Sequence, residues 1–331
     1  MNPPSSLMWS KPKITLSVNP VYYCNFSCSF CYLTPEQLRD KQLLDLGRFR
    51  ELLEQVVESY EVTHVDIYGG EVLLLPHEYL MELKAILHDY SIDDIVLISN
   101  LSLVNEAALD EDFELGISYD FTAREKSELV FNNILSLPRW FNVLTLASRK
   151  FLDEVTPDEF VQTMNMLTRV NSVEIKPYSE NQANQDRVSY KEFEEFVWAV
   201  TTHPDRRFYF ENEALMIKSV EGTRNAYSDD HLYITPYGQF AVLDFDLNDR
   251  EYFQTLSSVE EYRAWCDKEK KRVEANQFCS ACEFKGRCLS EHLREVKSLE
   301  NSCNGFHGLL TRWKNYEGAA SSKARDNARL I

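Results

Sequence analysis

Apolar residues in the first half of the chain alternate between two patterns. Short runs rich in Val, Ile and Leu predict strands, and stretches with apolar residues every three or four positions predict helices. "KITLSVNP" (13–20), "THVDIYGGE" (63–71), "DDIVLISN" (93–100), "FELGISYD" (113–120), "FNVLTLAS" (141–148) and "SVEIKPYS" (172–179) read as strands. "RFRELLEQVVESY" (48–60), "EYLMELKAILHDY" (78–90), "KSELVFNNILSL" (126–137) and "EFVQTMNMLTRV" (159–170) read as helices. Thr34-Pro35-Glu36-Gln37 reads as a helix start, with Thr34 as N-cap, Pro35 at the first helical position and Gln37 closing a capping box. Thr156-Pro157-Asp158-Glu159 opens another helix.

Strands joined by crossover helices imply a parallel sheet. Six are too few to close an eight-fold barrel, so the expected core is α/β, an open and curved partial (β/α)6 TIM-like barrel. In such sheets chemistry gathers at the carboxyl ends of strands. Cys24, Cys28 and Cys31, Gly69-Gly70-Glu71, Ser99-Asn100, Ser118 and residues 176–179 all fall at or near such ends.

The pattern changes after residue 185. "YKEFEEFVWAVTTH" (190–203) reads as a helix and "RFYFE" (207–211) as a short strand. "HLYITPYGQFAVLDFD" (231–246) reads as a hairpin turning at Pro236-Tyr237-Gly238. A cysteine-bearing stretch with Cys279, Cys282, Cys288 and Cys303 follows. The expected division is a barrel core over 1–185, a small cysteine-organised domain over 186–315 and a polar tail over 316–331.

Composition narrows the setting. At 331 residues and 44% hydrophobic, the chain can bury a sizeable core. No apolar run approaches the ~18 residues of a membrane span, and the N-terminus has no signal-peptide core. The expected compartment is the cytoplasm, where thiols stay reduced. Eight cysteines there point to metal or redox chemistry rather than disulfides. A formal charge of −18 disfavours broad binding to nucleic acid or anionic membrane, although a local basic channel stays open.

The first cysteines are spaced C-x3-C-x2-C. A structural zinc takes four ligands. This cluster offers three, and the nearest histidine, His64, lies 33 residues on. An iron–sulfur cube held by three thiolates leaves one iron open to a substrate or cofactor. For the second set, C-x2-C with two further cysteines suits either a cube or zinc.

With Phe30 before Cys31, the first motif resembles that of the radical S-adenosylmethionine (radical SAM) superfamily, C-x3-C-x-aromatic-C after the first strand. The resemblance implies a [4Fe–4S] cluster on Cys24, Cys28 and Cys31, whose open iron chelates the methionine part of SAM. It places Phe30 against the adenine and gives Gly69-Gly70-Glu71 the part of the GGE motif that binds the methionine amine. Val72 stands where the family often has Pro. Ser99 and Asn100 match a Ser/Thr-Asn-Gly near the ribose, with Leu101 in place of the Gly. "ISYD" resembles "ISxDG", which makes Ser118 a contact of the SAM carboxylate, with Phe121 in place of the Gly. Arg124 is read as an exposed arginine at a helix start, the carboxylate being its alternative partner.

The second half resembles the SPASM/twitch extensions of that superfamily. Cys279-x2-Cys282-x5-Cys288 with Cys303 matches the ligands of one auxiliary [4Fe–4S] cluster. The cysteine that would serve a hairpin cluster is His292, and the hairpin flanks carry none, so a single auxiliary cluster is expected. Cys266, outside both patterns, is read as a helical packing residue.

These resemblances imply reductive cleavage of SAM to a 5′-deoxyadenosyl radical, hydrogen-atom abstraction from the substrate, and a reducing electron donor of flavodoxin or ferredoxin type. Peptide or protein modification ranks first, even though no leader-binding domain precedes the motif at residue 24. A nucleobase, nucleotide, sugar or other small metabolite is the rival substrate, and intact nucleic acid is disfavoured by charge. A non-catalytic iron–sulfur sensor or electron carrier is the reading of another class.

Overall fold

The computed structural model describes residues 10–178, 188–227, 229–243, 253–290, 303 and 305–316. Ser179, His292, the end of the hairpin flank (244–246) and the tail beyond 316 lie outside the described residues. The six expected strands are β1 (Lys13–Val18), β2 (Glu61–Ile67), β3 (Ile95–Ser99), β4 (Glu114–Ser118), β5 (Phe141–Leu146) and β6 (Val170–Lys176). Each pairs in parallel with its sequence neighbour. Between them run α1 (Leu46–Ser59), α2 (His77–Asp89), α3 (Glu106–Leu109), α4 (Ser127–Ser136), α5 (Arg149–Glu154) and α6 (Pro157–Asn165).

Side chains alternate across these strands. Leu16, Val65, Leu97, Ile117, Val143 and Val173 are fully buried on one face. Helices cover that face, α1 burying Phe49, Leu52, Leu53 and Val56, and α6 burying Phe160, Val161 and Met164. The opposite parity (Ile98, Ser118, Leu144, Leu146, Lys176) faces a cavity.

The Thr156 capping box is present. The Thr34–Gln37 box also forms, with Thr34 N–H donating to Gln37 Oε1 (2.9 Å) and Gln37 N–H to Thr34 Oγ1 (3.2 Å). It starts only a 3-10 turn, Gln37–Arg39. Asp40 then turns extended, and α1 begins behind a second cap, Asp45, whose side chain accepts from Arg48 N–H.

The second half joins the same sheet. β7 (His231–Ile234), β8 (Phe240–Leu243) and β9 (Phe253–Leu256) give the order β6-β5-β4-β3-β2-β1-β7-β8-β9. β7 runs parallel to β1, and β8 and β9 return antiparallel. The expected hairpin therefore extends the parallel sheet. "RFYFE" is not a strand: Phe210 makes one bridge to Val173 and then caps α8 (Glu211–Glu221). Asn212 of α8 bonds both the N–H and the C=O of Ile175. α7 (Tyr190–Thr201) precedes it, and α9 (Val259–Ala275), α10 (Gln277–Ala281) and α11 (His307–Lys314) follow. Cys266 is buried on α9, beside Tyr262. Among the described residues no helix is long and apolar enough to cross a membrane.

Candidate functional site

The loop after β1 carries Cys24, Cys28 and Cys31 and docks on the end of β2 through backbone. Gly70 N–H donates to Val21 C=O and Glu71 N–H to Tyr23 C=O, both at 2.9 Å. A Cβ on Gly70 would lie 2.1 Å from the Tyr23 carbonyl oxygen, and one on Gly69 2.4 Å from that of Val21. Gly69 also has φ +151°, which L side chains rarely adopt. The glycine pair is thus required by the approach of the cysteine loop.

Glu71 is fully buried. Its Oε1 accepts from Leu73 N–H (2.9 Å) and Ser99 Oγ (2.6 Å), and its Oε2 from Asn100 N–H (2.7 Å). The carboxylate locks the end of β2 to the end of β3 and does not line the cavity. This departs from the expected part of Glu71 as a ligand contact. Burial raises its pKa, and those donors pull it back. Asn100 reaches on to the cysteine loop, its Nδ2 donating to Asn25 Oδ1 (3.1 Å) and lying 3.7 Å from Cys24 Sγ.

A cavity of about 340 Å³ opens at the carboxyl ends of the strands. Cys24, Cys28 and Cys31 line it. So do six of the seven expected cofactor residues: Phe30, Gly69, Gly70, Ser99, Asn100 and Ser118. Burial pushes the Cys24 thiol up to about 11 and Cys31 to about 12, and raises Cys28 as well. Backbone donors oppose this: Phe26 N–H points at Cys24 Sγ (3.4 Å), Leu33 N–H at Cys31 and Glu125 N–H at Cys28. Such amide donors stabilise sulfur that carries negative charge, as metal-bound thiolate does.

Arg124 is not exposed. Only 11% of its side chain is accessible, it lines the cavity, and it pairs with the buried Asp120 at 2.5 Å. The tyrosines Tyr32, Tyr68 and Tyr233 on the cavity wall did not stand out in the sequence, and Asp120 did so only as part of "ISYD", with no part of its own. An Asp and an Arg four apart just beyond a strand end were the available signal for the ion pair.

A second cavity, of about 390 Å³, is lined by all four remaining candidate ligands, Cys279, Cys282, Cys288 and Cys303. The local design repeats the first site. Phe284 N–H donates to Cys282 Sγ (3.4 Å), and Ser290 N–H points at Cys288. Burial, then the neighbouring cysteines, push Cys288 to about 11. A Cβ on Gly305 would lie 2.7 Å from Cys288 Sγ, so the chain passes close behind the sulfur. Three thiols in one cavity and four in the other fit an open and a closed iron–sulfur cube. Among the described residues, no group of three Cys, His, Asp or Glu side chains is placed to hold a metal ion.

The family model described as "Radical SAM superfamily" matches residues 18–123, the segment that builds the first cavity's cysteine loop and the ends of β2 to β4. No curated protein matches the chain. Among solved structures, native anSMEcpe with bound AdoMet is similar with a TM-score of 0.66 at 13% identity, covering 97% of this chain and 100% of that one. Native anSMEcpe with bound AdoMet and Cp18Cys peptide gives 0.64 at 13% identity, covering 97% and 100%. Streptococcus suis SuiB bound to precursor peptide SuiA gives 0.59 at 14% identity, covering 84% and 71%. The chain carries a radical SAM domain, on an α/β fold with a mostly parallel sheet.

Proposed function

We propose that this radical SAM enzyme holds a [4Fe–4S] cluster on Cys24, Cys28 and Cys31, binds SAM beside it, and acts on a peptide or protein side chain. The observation that carries the reading is the one cavity where three thiols meet the ends of β2, β3 and β4. Bound there, the cluster and SAM supply reductive cleavage of the sulfonium and removal of a hydrogen atom from a C–H bond. The chain's part is to hold and to shield. Three thiols leave one cluster position for a non-protein ligand. Phe30, Gly69, Gly70, Ser99, Asn100 and Ser118 wall the space for SAM, and Glu71 holds two of those wall segments together. Leu144, Leu146 and Leu243 give the cavity an apolar side.

A peptide substrate is favoured because SuiB and anSMEcpe, similar in fold, are described with peptides bound. Cys279, Cys282, Cys288 and Cys303 hold one auxiliary [4Fe–4S] cluster in a SPASM/twitch-like arrangement, and a flavodoxin- or ferredoxin-type donor supplies electrons.

Anaerobic reconstitution with iron, sulfide, SAM and dithionite tests this. The wild type forms 5′-deoxyadenosine. Cys24→Ala, Cys28→Ala and Cys31→Ala each abolish it and leave the iron of the second set bound. No 5′-deoxyadenosine from the wild type would favour an iron–sulfur sensor, and wild-type rates from any of the three variants would overturn the ligand assignment.

A further inference from the structure

We propose that the buried Asp120–Arg124 ion pair sets the reduction potential of the cluster held by Cys24, Cys28 and Cys31; this rests on the cluster assignment above. The guanidinium has two working edges. Nε (2.7 Å) and one terminal nitrogen (2.5 Å) face the Asp120 carboxylate, and the other terminal nitrogen, Nη1, is turned to Cys28 Sγ at 4.0 Å. The cation also lies over the Phe30 ring, 5.5 Å from its centre. Asp120 is itself fixed: it is 1% exposed, and its other oxygen accepts from Leu146 N–H of β5 at 2.5 Å. The pair is therefore an oriented dipole with its positive end on the cluster side and its negative end behind.

Reduction places an added electron on the cluster and its thiolates. A cation beside Cys28 stabilises that charge, and a carboxylate opposes it. The pair is buried, so solvent and salt screen it little. Because the cation is the nearer member, the net effect is to raise the potential and make the cluster easier to reduce. Each charge acts separately, so removing them one at a time moves the potential in opposite directions. A merely structural pair, lost from either side, loosens the same loop and shifts the potential one way or not at all.

The test is potentiometric EPR titration of the reconstituted full-length protein without SAM, following the signal that disappears in Cys28→Ala. Arg124→Gln leaves Asp120 unopposed, and its midpoint moves to more negative potential than the wild type. Asp120→Asn leaves the guanidinium unopposed, and its midpoint moves to more positive potential. Arg124→Lys keeps the charge and stays nearer the wild type than Arg124→Gln does. Iron content, measured in parallel, shows that each variant carries its clusters. Unchanged midpoints, or shifts of one sign in both neutral variants, would overturn the proposal; if Arg124→Gln and Asp120→Asn lose the iron, Arg124→Lys decides, a midpoint near the wild-type value supporting the part of the charge and a large displacement with the iron retained overturning it. A wild type with no Cys28-dependent signal would overturn the cluster assignment itself.

Discussion

Leu101 and Phe121 stand where the resembled motifs have glycine, and both keep a glycine-like backbone, with φ of +50° and +52°. The left-handed region costs an L residue about 1–2 kcal/mol. Each side chain offsets that by burial. Leu101 is fully buried, and Phe121 packs on Tyr119, Phe151 and Phe160 with ring centres 5.0–5.7 Å apart. Side-chain burial thus holds both turns in the left-handed conformation. Phe121→Gly relieves about 1–2 kcal/mol of strain and loses about 3–5 kcal/mol of packing, so denaturant unfolding of the apo chain should show a net loss of about 1–4 kcal/mol. A variant as stable as wild type would mean that the aromatic packing contributes little. Arg124 shows what a residue-level reading misses: its exposure depends on Asp120 being buried beside it, which composition and spacing do not fix.

Elements were legible where their own sequence carries the cause. Parallel strands covered on one face read as Val/Ile/Leu runs, and the Thr156 box caps its helix as the side chains require. α9 was marked in the sequence only at Cys266, a helical packing residue; its extent was not legible although its buried residues Val259, Tyr262, Cys266, Glu269 and Val273 repeat every three or four positions, because charged residues dominate the rest of it. The contact between the cysteine loop and residues 69–71 was not legible, since it is made by backbone atoms far apart in sequence. It changes what Gly70→Val should do: the side chain meets the Tyr22 and Tyr23 carbonyls, so iron retention at Cys24, Cys28 and Cys31 should fall together with SAM binding. Full iron with weakened SAM binding would return the glycine to a ligand-contact part. A pH-dependent lock lies on the same strand. Burial lowers the His64 pKa, but Asp66 (3.1 Å) and Asp94 (3.0 Å) outweigh it and raise it to about 9. A folded pKa above the unfolded value of about 6.5 stabilises fully below that pH and is lost as pH rises through about 9. His64→Gln should flatten the stability profile between those limits in denaturant titrations at stepped pH; an unchanged slope would show that the two carboxylates do not hold the proton.

At the scale of the whole molecule, the second half of the chain is part of the first site. β7 pairs with β1, and Tyr233 and Leu243 from β7 and β8 wall the cavity of Cys24, Cys28 and Cys31. The expected boundary near residue 186 lies where the regular strand–helix alternation ends; the sheet continues across it, β7 pairing with β1, because the pairing of strands far apart in sequence leaves no mark on that pattern. From that shared sheet α9 and α10 lead to the second cavity, where four thiols can close all four irons of a cube. A closed cube has no vacant iron for a substrate, so electron transfer or support of the substrate pocket is the part left to it. Reconstituted wild type should carry about eight irons, as two four-iron clusters. Cys303→Ala should disturb only the auxiliary signal and still form 5′-deoxyadenosine, because its sulfur lines the second cavity and not the first. Turnover of the true substrate should fall much further than SAM cleavage. Stoichiometric zinc in place of the second set of irons would sink the cluster, and release of one cysteine on substrate addition would sink the closed site.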